Sequence, residues 1–93
     1  IVGGDGSDVL DRRTKVIMGS GRDVTENFIR GAEESLKLAR MFKVKEAILK
    51  TGSPSCGSGE IHDAFSEELR KGDGVTAALL KRNDIRVITE NDV

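Results

Sequence analysis

The chain is predicted to fold as one small α/β domain built around a parallel sheet. Short aliphatic runs near 14–18, 45–50 and 85–89 have the character of strands, and the stretches near 24–42 and 74–83 have the character of helices. Strands that alternate with helices in this order are typical of a parallel sheet with helices packed on it. Turns rich in glycine and aspartate separate the elements.

The first part of the chain is predicted to contain a loop and a strand. Residues 3–13, GGDGSDVLDRR, are rich in glycine and aspartate, and we expect a loop there with one helical turn. The β-branched run TKVIM at 14–18 predicts a strand, which the turn sequence GSGRD ends.

The helix near 24–42 is the clearest element. Asp23 and Glu26 have the spacing of a capping box at its start. An apolar stripe at helical period follows, and we expect its members to be buried against the sheet: Phe28, Ala32, Leu36, Ala39 and Phe42.

The second half of the chain contains two more predicted strands and a helix. KEAILK leads directly into the glycine- and serine-rich segment TGSPSCGSGE, at 51–60. The segment EIHDAFSEELRK, at 60–71, is compatible with a helix, and also with a loop that clasps the core through Phe65. Asp73 is expected to cap the next helix and Asn83 to end it in the left-handed conformation.

Composition restricts the classes of function. The 93 residues include 37% hydrophobic residues and carry a net charge of −1, so one core is feasible and a large basic field for nucleic acid is absent. Nucleic acid is therefore an unlikely partner of this chain alone. The single cysteine excludes an internal disulfide, and no apolar run is long enough to span a membrane, so we expect a cytoplasmic protein.

The opening IVGGDG reads as a continuation, and we expect residues 1–93 to be the C-terminal part of a longer domain.

Four interpretations of the cysteine segment are compatible with its residues. Glycine, serine and proline form turns for reasons of backbone geometry alone. Glycine-rich turns also bind phosphate, although the Gly-Lys-Ser/Thr sequence of a P-loop is missing. Cys56 could act as a nucleophile with His62, the only histidine. Cys56 could also be one of several thiolate ligands of a metal or cluster, since one thiolate is too few for such a site.

Three motifs resemble one known family. The run SPSCGSGEI at 53–61, the segment GDGVTAALLKRN at 72–83 and the preceding GRDVTENFIRGAEESLKLA are similar to the thiouracil desulfidase-like family, also known as DUF523. The resemblance extends over essentially all 93 residues. The segment after the cysteine motif departs from the family pattern by being more charged, and Asp84 stands where a glycine is expected.

The resemblance implies an iron–sulfur enzyme. Members of the family hold a [4Fe–4S] cluster on three cysteines, and the open iron is thought to bind the sulfur of a thiolated pyrimidine while water attacks the ring carbon. Cys56 corresponds to the last cluster cysteine, and Ser53 and Ser55 correspond to serines of which one assists catalysis. The residues expected to surround the cluster are Cys56, Gly57, Ser58 and Gly59. The other two cysteines and the catalytic carboxylate belong to an upstream segment, so the resemblance implies no cluster in these 93 residues alone.

The expected function is therefore non-redox, hydrolytic removal of sulfur from a thiolated pyrimidine such as thiouracil, with a small-molecule nucleobase as the partner and no membrane. The alternative is a non-catalytic α/β module in which the cysteine segment merely turns. Glu60 is a further candidate carboxylate because it directly follows the cysteine motif.

Overall fold

The computed structural model describes residues 1–49, 60–62 and 69–90 of the chain. These residues form three helices and four short strands, in the order α1 (Gly6–Leu10), α2 (Thr25–Met41), β1 (Glu46–Leu49), β2 (Glu60–His62), β3 (Leu69–Lys71), α3 (Val75–Arg82) and β4 (Arg86–Thr89). β1 pairs with β4 in parallel, and β2 pairs with β3 in antiparallel orientation. The predicted α/β class with a parallel sheet is confirmed. Among the described helices, none combines the length and the apolar composition that a bilayer span requires.

Helices cover one face of the parallel pair. In the register of β1 and β4, Ala47 lies opposite Val87 and Ile48 opposite Ile88. Ala47 and Val87 pack against a buried cluster that α2 and α3 supply through Leu36, Leu80 and their neighbours. Because side chains alternate along a strand, the Ile48 side chain points to the other face.

α2 begins differently from the prediction. Its N-cap is Val24, which makes no side-chain bond to the helix, so the predicted capping box of Asp23 and Glu26 is wrong. The Asp23 carboxylate instead accepts from the backbone N–H of Thr25 at 2.9 Å and from its hydroxyl at 2.6 Å. Glu26 forms an ion pair with Arg12. The helix itself, at Thr25–Met41, is confirmed to within one residue of 24–42.

The apolar stripe of α2 packs against two clusters rather than against a sheet along its whole length. Its first half, with Ile29 and Ala32 buried and Phe28 half-buried, faces α1 and α3. Leu36 is buried next to the parallel strands. The predicted burial of Phe42 is wrong, since 72% of this residue is exposed. The four-residue strands β1 and β4 extend only about 13 Å, whereas the 17-residue helix extends about 26 Å, so the strands reach only part of α2.

The predicted strand at 14–18 does not join the parallel sheet. Its only bridge, among the described residues, is an isolated antiparallel contact between Ile17 and Asp23. Val16 is buried, and its backbone N–H donates to the Thr25 hydroxyl at 3.0 Å. The segment folds back on itself because Gly21, at φ +88°, closes the predicted turn by donating its N–H to the Met18 carbonyl at 2.8 Å.

The ends of the segment at 60–71 form a pair of strands, so the helical interpretation of this segment is wrong for the residues described. Glu60 lies opposite Lys71 and His62 opposite Leu69 in the antiparallel register of β2 and β3. Phe65, the proposed clasp, lies outside the described residues.

α3 ends near the predicted position. Asn83 is its C-cap, with φ −108°, so the predicted left-handed conformation at this residue is wrong. Asp84 adopts it instead, at φ +62°. Glycine adopts this conformation without a steric penalty, which explains why a glycine was expected at the position of Asp84.

Candidate functional site

The carboxyl ends of β1 and β4 lie side by side. Leu49 and Thr89, the last residues of these strands, are partners in the parallel register. α3 is connected to β4 by the short turn at 83–85 and packs on the strand pair, so its first turn lies toward the same end. Ligands of parallel α/β sheets bind beyond the carboxyl ends of the strands. We call this end of the pair, together with the first turn of α3, the carboxyl edge.

The sequence-predicted site residues follow β1 at this edge. Leu49 ends the strand, and Cys56 comes seven residues later in the chain. The predicted catalytic and cluster-binding residues all lie outside the described residues: Ser53, Ser55, Cys56, Gly57, Ser58 and Gly59. The fold thus identifies the strand end from which their segment departs, and their individual roles stay predictions.

The first turn of α3 presents a helix start without a side-chain cap. Gly74 is the N-cap, with extended backbone, so the prediction that Asp73 is the N-cap is wrong by one residue. The Asp73 carboxylate instead accepts from Nζ of Lys81, a residue of the last turn of α3, at 2.9 and 3.1 Å. Thr76 lies in the first turn of α3, and it is buried.

Asp5 connects the starts of α1 and α3. Its Oδ1 accepts from the backbone N–H groups of Ser7 at 3.1 Å and Asp8 at 3.3 Å, and its Oδ2 accepts from the Asp73 N–H at 3.4 Å. The Gly6 N–H donates to the Asp73 carbonyl at 2.5 Å. These contacts fix the segment before α3 against the N-terminal loop. The helical turn predicted within residues 3–13 is present as α1. The reciprocal capping box of Asp5 and Asp8 at its start was not predicted, although these two residues have its spacing.

The N-terminal loop and the segment before α3 approach each other so closely that glycine is required where they meet. A Cβ on Gly6 would lie 2.1 Å from the carbonyl oxygen of Gly74, closer than any nonbonded contact allows. Gly72 has φ +148°, and a Cβ there would lie 2.7 Å from the Cβ of Asp5. Gly6 therefore permits the close approach of its backbone to that of Gly74. Gly72 likewise permits the close approach of its backbone to Asp5.

Three carboxylates have lowered pKa values, and for Asp23 the cause is its hydrogen bonds from Thr25. Hydrogen bonds from Arg82 lower the pKa of Asp11, and a hydrogen bond from Arg12 lowers the pKa of Glu26. A general acid in a neutral solution needs the opposite shift, toward a higher pKa. None of these lowered pKa values therefore favours a role as general acid at neutral pH.

Glu60 and His62, the other reactive candidates, are placed by their backbone only. Both belong to β2, Glu60 at its start and His62 at its end. β2 begins directly after the cysteine segment. The chain therefore leaves that segment in a strand that pairs with β3.

A cavity of about 470 Å³ opens elsewhere, at the start of α2. Its lining residues are Arg12, Thr14, Lys15, Asp23, Thr25, Glu26 and Asn27. Arg12 pairs with Glu26 and Lys15 lies 3.9 Å from Asp23, so the charges of the wall cancel. The cavity therefore offers no net attraction to a charged ligand.

The residues present do not fit a complete metal or cluster site. In the part of the chain that the structure describes, no three His, Cys, Asp or Glu side chains converge in a way that could hold a metal ion. The whole sequence contains one cysteine, whereas a cubane cluster requires three or four protein ligands. These 93 residues can therefore contribute one thiolate to such a site.

Comparison with known proteins identifies the family. The profile of the 2-thiouracil desulfurase family matches residues 1–92. YbbK of Bacillus subtilis, an uncharacterized protein, is 48% identical over 94 residues, an alignment that covers 100% of this chain and 62% of YbbK. The solved structure of TudS, a [4Fe–4S]-dependent thiouracil desulfidase, is 45% identical with a TM-score of 0.80 over 83% of this chain and 52% of TudS. The chain thus spans little more than half the length of these relatives, and it belongs to the 2-thiouracil desulfurase family.

Proposed function

We propose that the protein to which these residues belong removes sulfur from a thiolated pyrimidine by hydrolysis. In the proposed reaction water adds to the thiocarbonyl carbon, the carbon–sulfur bond breaks, and the products are the oxo-pyrimidine and sulfide, with no change in oxidation state. The observation that carries this proposal is the 45% identity to a thiouracil desulfidase combined with a shared fold at a TM-score of 0.80. The match of the family profile to residues 1–92 supports it.

The carboxyl edge is the proposed location of the reaction. Cys56 follows β1 at this edge and is proposed as one thiolate ligand of a [4Fe–4S] cluster, a role for which soft sulfur is well suited. The remaining ligands are proposed to come from residues outside these 93. When bound, such a cluster would supply a Lewis-acidic iron with an open position.

The small residues beside Cys56 have a proposed role in binding and orientation. Gly57, Ser58 and Gly59 lack bulky side chains, so their backbone N–H groups could donate to cluster sulfurs. Ser53 or Ser55 is proposed to orient the attacking water or the departing sulfur through its hydroxyl group. The uncapped start of α3 at the same edge adds a partial positive charge, which favours a developing negative charge nearby.

A small thiolated nucleobase in the cytoplasm is the proposed substrate. The net charge of −1 disfavours a polyanion as the partner of this chain. A cytoplasmic location belongs to the same proposal, because cluster-binding thiolates have to stay reduced.

The test is a desulfuration assay on the full-length natural protein, purified and reconstituted with iron and sulfide without oxygen. Incubated with 2-thiouracil, it should form uracil and sulfide in equal amounts. Ser53→Ala and Ser55→Ala should be compared with Ser20→Ala, because Ser20 is an exposed serine in the turn before α2. Reconstituted protein that contains a cluster and releases neither product would contradict the proposal.

A further inference from the structure

An exposed apolar surface lies at the end of α2, outside the carboxyl edge. Leu38, Met41 and Phe42 are spaced at i, i+3 and i+4, so they share one helix face. Their exposed fractions are 54%, 64% and 72%, and Val44, two residues after Phe42, is 38% exposed. We call these four residues the α2-end surface. Among the residues whose side-chain exposure is described, 1–49 and 72–90, only Met18 and Ile48 are large apolar residues exposed to a similar degree.

Cations surround this surface. Lys37 lies one helical turn before Met41, while Lys43 and Lys45 flank Val44 in the turn to β1. Among the described residues, no carboxylate lies within ion-pair distance of these three lysines, whereas Arg12, Lys15, Lys81 and Arg82 all have such partners. The nearest acidic residues along the chain are Glu34, one turn before Leu38, and Glu46, two residues after Val44.

The structure of the domain explains the charges but not the apolar residues. Cations near the C-terminus of a helix are favoured by the helix dipole. That effect gives no reason for Met41 and Phe42 to stand in water beside them, because their burial would stabilise the fold. Contiguous exposed apolar side chains with a charged rim are typical of an interface.

We propose that the α2-end surface binds an acidic amphipathic segment of another protein. Such a segment offers apolar side chains to Met41 and Phe42 and carboxylates to the lysines of the rim. Nucleic acid fits less well, since Phe42 is the only ring of the surface on which a base could stack and an RNA strand offers few aliphatic groups to Leu38 and Val44. An anionic membrane fits less well because the surface occupies only the end of α2, whereas interfacial helices embed an apolar face along their length.

The test uses the full-length natural protein and a synthetic helical peptide with leucine and phenylalanine on one face and glutamate on the other. NMR titration should shift the amide signals of residues 37–45. Phe42→Ser and Lys37→Glu should each weaken peptide binding at least tenfold. The matched controls, Met18→Ser and Arg30→Glu, change an exposed apolar residue and an exposed cation elsewhere, and they should leave binding unchanged. A peptide with glutamine in place of glutamate should bind at least tenfold more weakly.

Several results would overturn the proposal. One is peptide binding that is equal in wild type and Phe42→Ser, or absent in both. Another is Phe42-dependent binding to phosphatidylglycerol vesicles or to poly(U) RNA in the absence of peptide binding. A third is protection of Met41, but not of Met18, from oxidation by hydrogen peroxide in the isolated full-length protein, because the protein itself would then cover the surface. These outcomes do not depend on desulfidase activity, so the two proposals fail separately.

Discussion

Gly6 and Gly74 are in contact through their backbones, and a Cβ on Gly6 would lie 2.1 Å from the Gly74 carbonyl oxygen. We expect Gly6→Ala to lower the free energy of unfolding by about 1–3 kcal/mol or more, the range for forcing atoms into a well-packed site. Urea denaturation would measure this change.

Gly31 provides the matched control for that substitution. It lies in the middle of α2 and is exposed, and nothing lies within 4 Å of a Cβ built on it. Gly31→Ala should therefore stabilise the protein by roughly 0.5–1 kcal/mol through helix propensity. Equal effects of the two substitutions would show that the contact between Gly6 and Gly74 is absent in solution.

Leu36 and Leu38 give a second matched pair on α2. Leu36 is buried between α2, α3 and the parallel strands, so Leu36→Ala should cost about 2–5 kcal/mol. Leu38 is exposed, so Leu38→Ala should change stability by less than about 0.5 kcal/mol. A similar loss of stability for both variants would mean that the Leu38 side of α2 is also covered in solution.

The contrast between Leu36 and Phe42 shows how far sequence reasoning extended. The 3.6-residue period correctly predicted α2 and its buried residues Ala32 and Leu36, since the period reports which residues share a face. It wrongly predicted the burial of Phe42, because burial also depends on how far the neighbouring elements extend along the helix. The strand predicted at 14–18 was wrong for a related reason, since β-branched residues also form isolated bridges when a turn folds them back.

The candidate site was predicted in part. The alternation of strands and helices was enough to locate the carboxyl edge, to which the cysteine segment is attached. The contact between Asp5 and Asp73 was not predicted, because it joins residues 68 positions apart and no local pattern reports such a pairing. The resemblance carried by SPSCGSGEI indicated the chemistry of the site. The spacing of the residues alone could not do so, because a chain with one cysteine is compatible with several kinds of site.

The pair of Asp11 and Arg82 should make stability depend on pH. Arg82 lowers the pKa of Asp11 from its ordinary value of 3.8. A lowered folded-state pKa means that the stabilisation is present above about pH 4 and is lost as the pH falls through the folded-state value. Asp11→Asn should therefore lower the melting temperature at pH 7, and this effect should disappear once the pH is low enough to protonate Asp11 in the folded protein. A difference that persists unchanged at low pH would show that the side chain acts through something other than its charge.

Asp84 is expected to limit stability at the end of α3. Its φ of +62° is a conformation that glycine adopts more easily than any residue with a Cβ. Asp84→Gly should raise the free energy of unfolding by about 0.5–1 kcal/mol, whereas Asp84→Ala should lower it. Thermal or urea unfolding of both variants measures the difference, and a destabilised glycine variant would contradict the expectation.

The last prediction concerns iron. The 93-residue chain contains one cysteine, so by itself it should bind almost no iron when purified without oxygen. The full-length natural protein should show a brown chromophore and about four irons per chain after anaerobic reconstitution, as one cubane cluster requires. In that protein Cys56→Ser should remove the chromophore and most of the iron, because a serine oxygen is a poor substitute for a soft thiolate. Ser53→Ala and Ser55→Ala should keep the iron, since they leave every thiolate in place, and at least one of them should slow the release of sulfide. Iron analysis and the visible spectrum measure these outcomes directly. A Cys56→Ser variant that retains its full iron content would exclude Cys56 as a ligand and favour the interpretation of the segment as a simple turn.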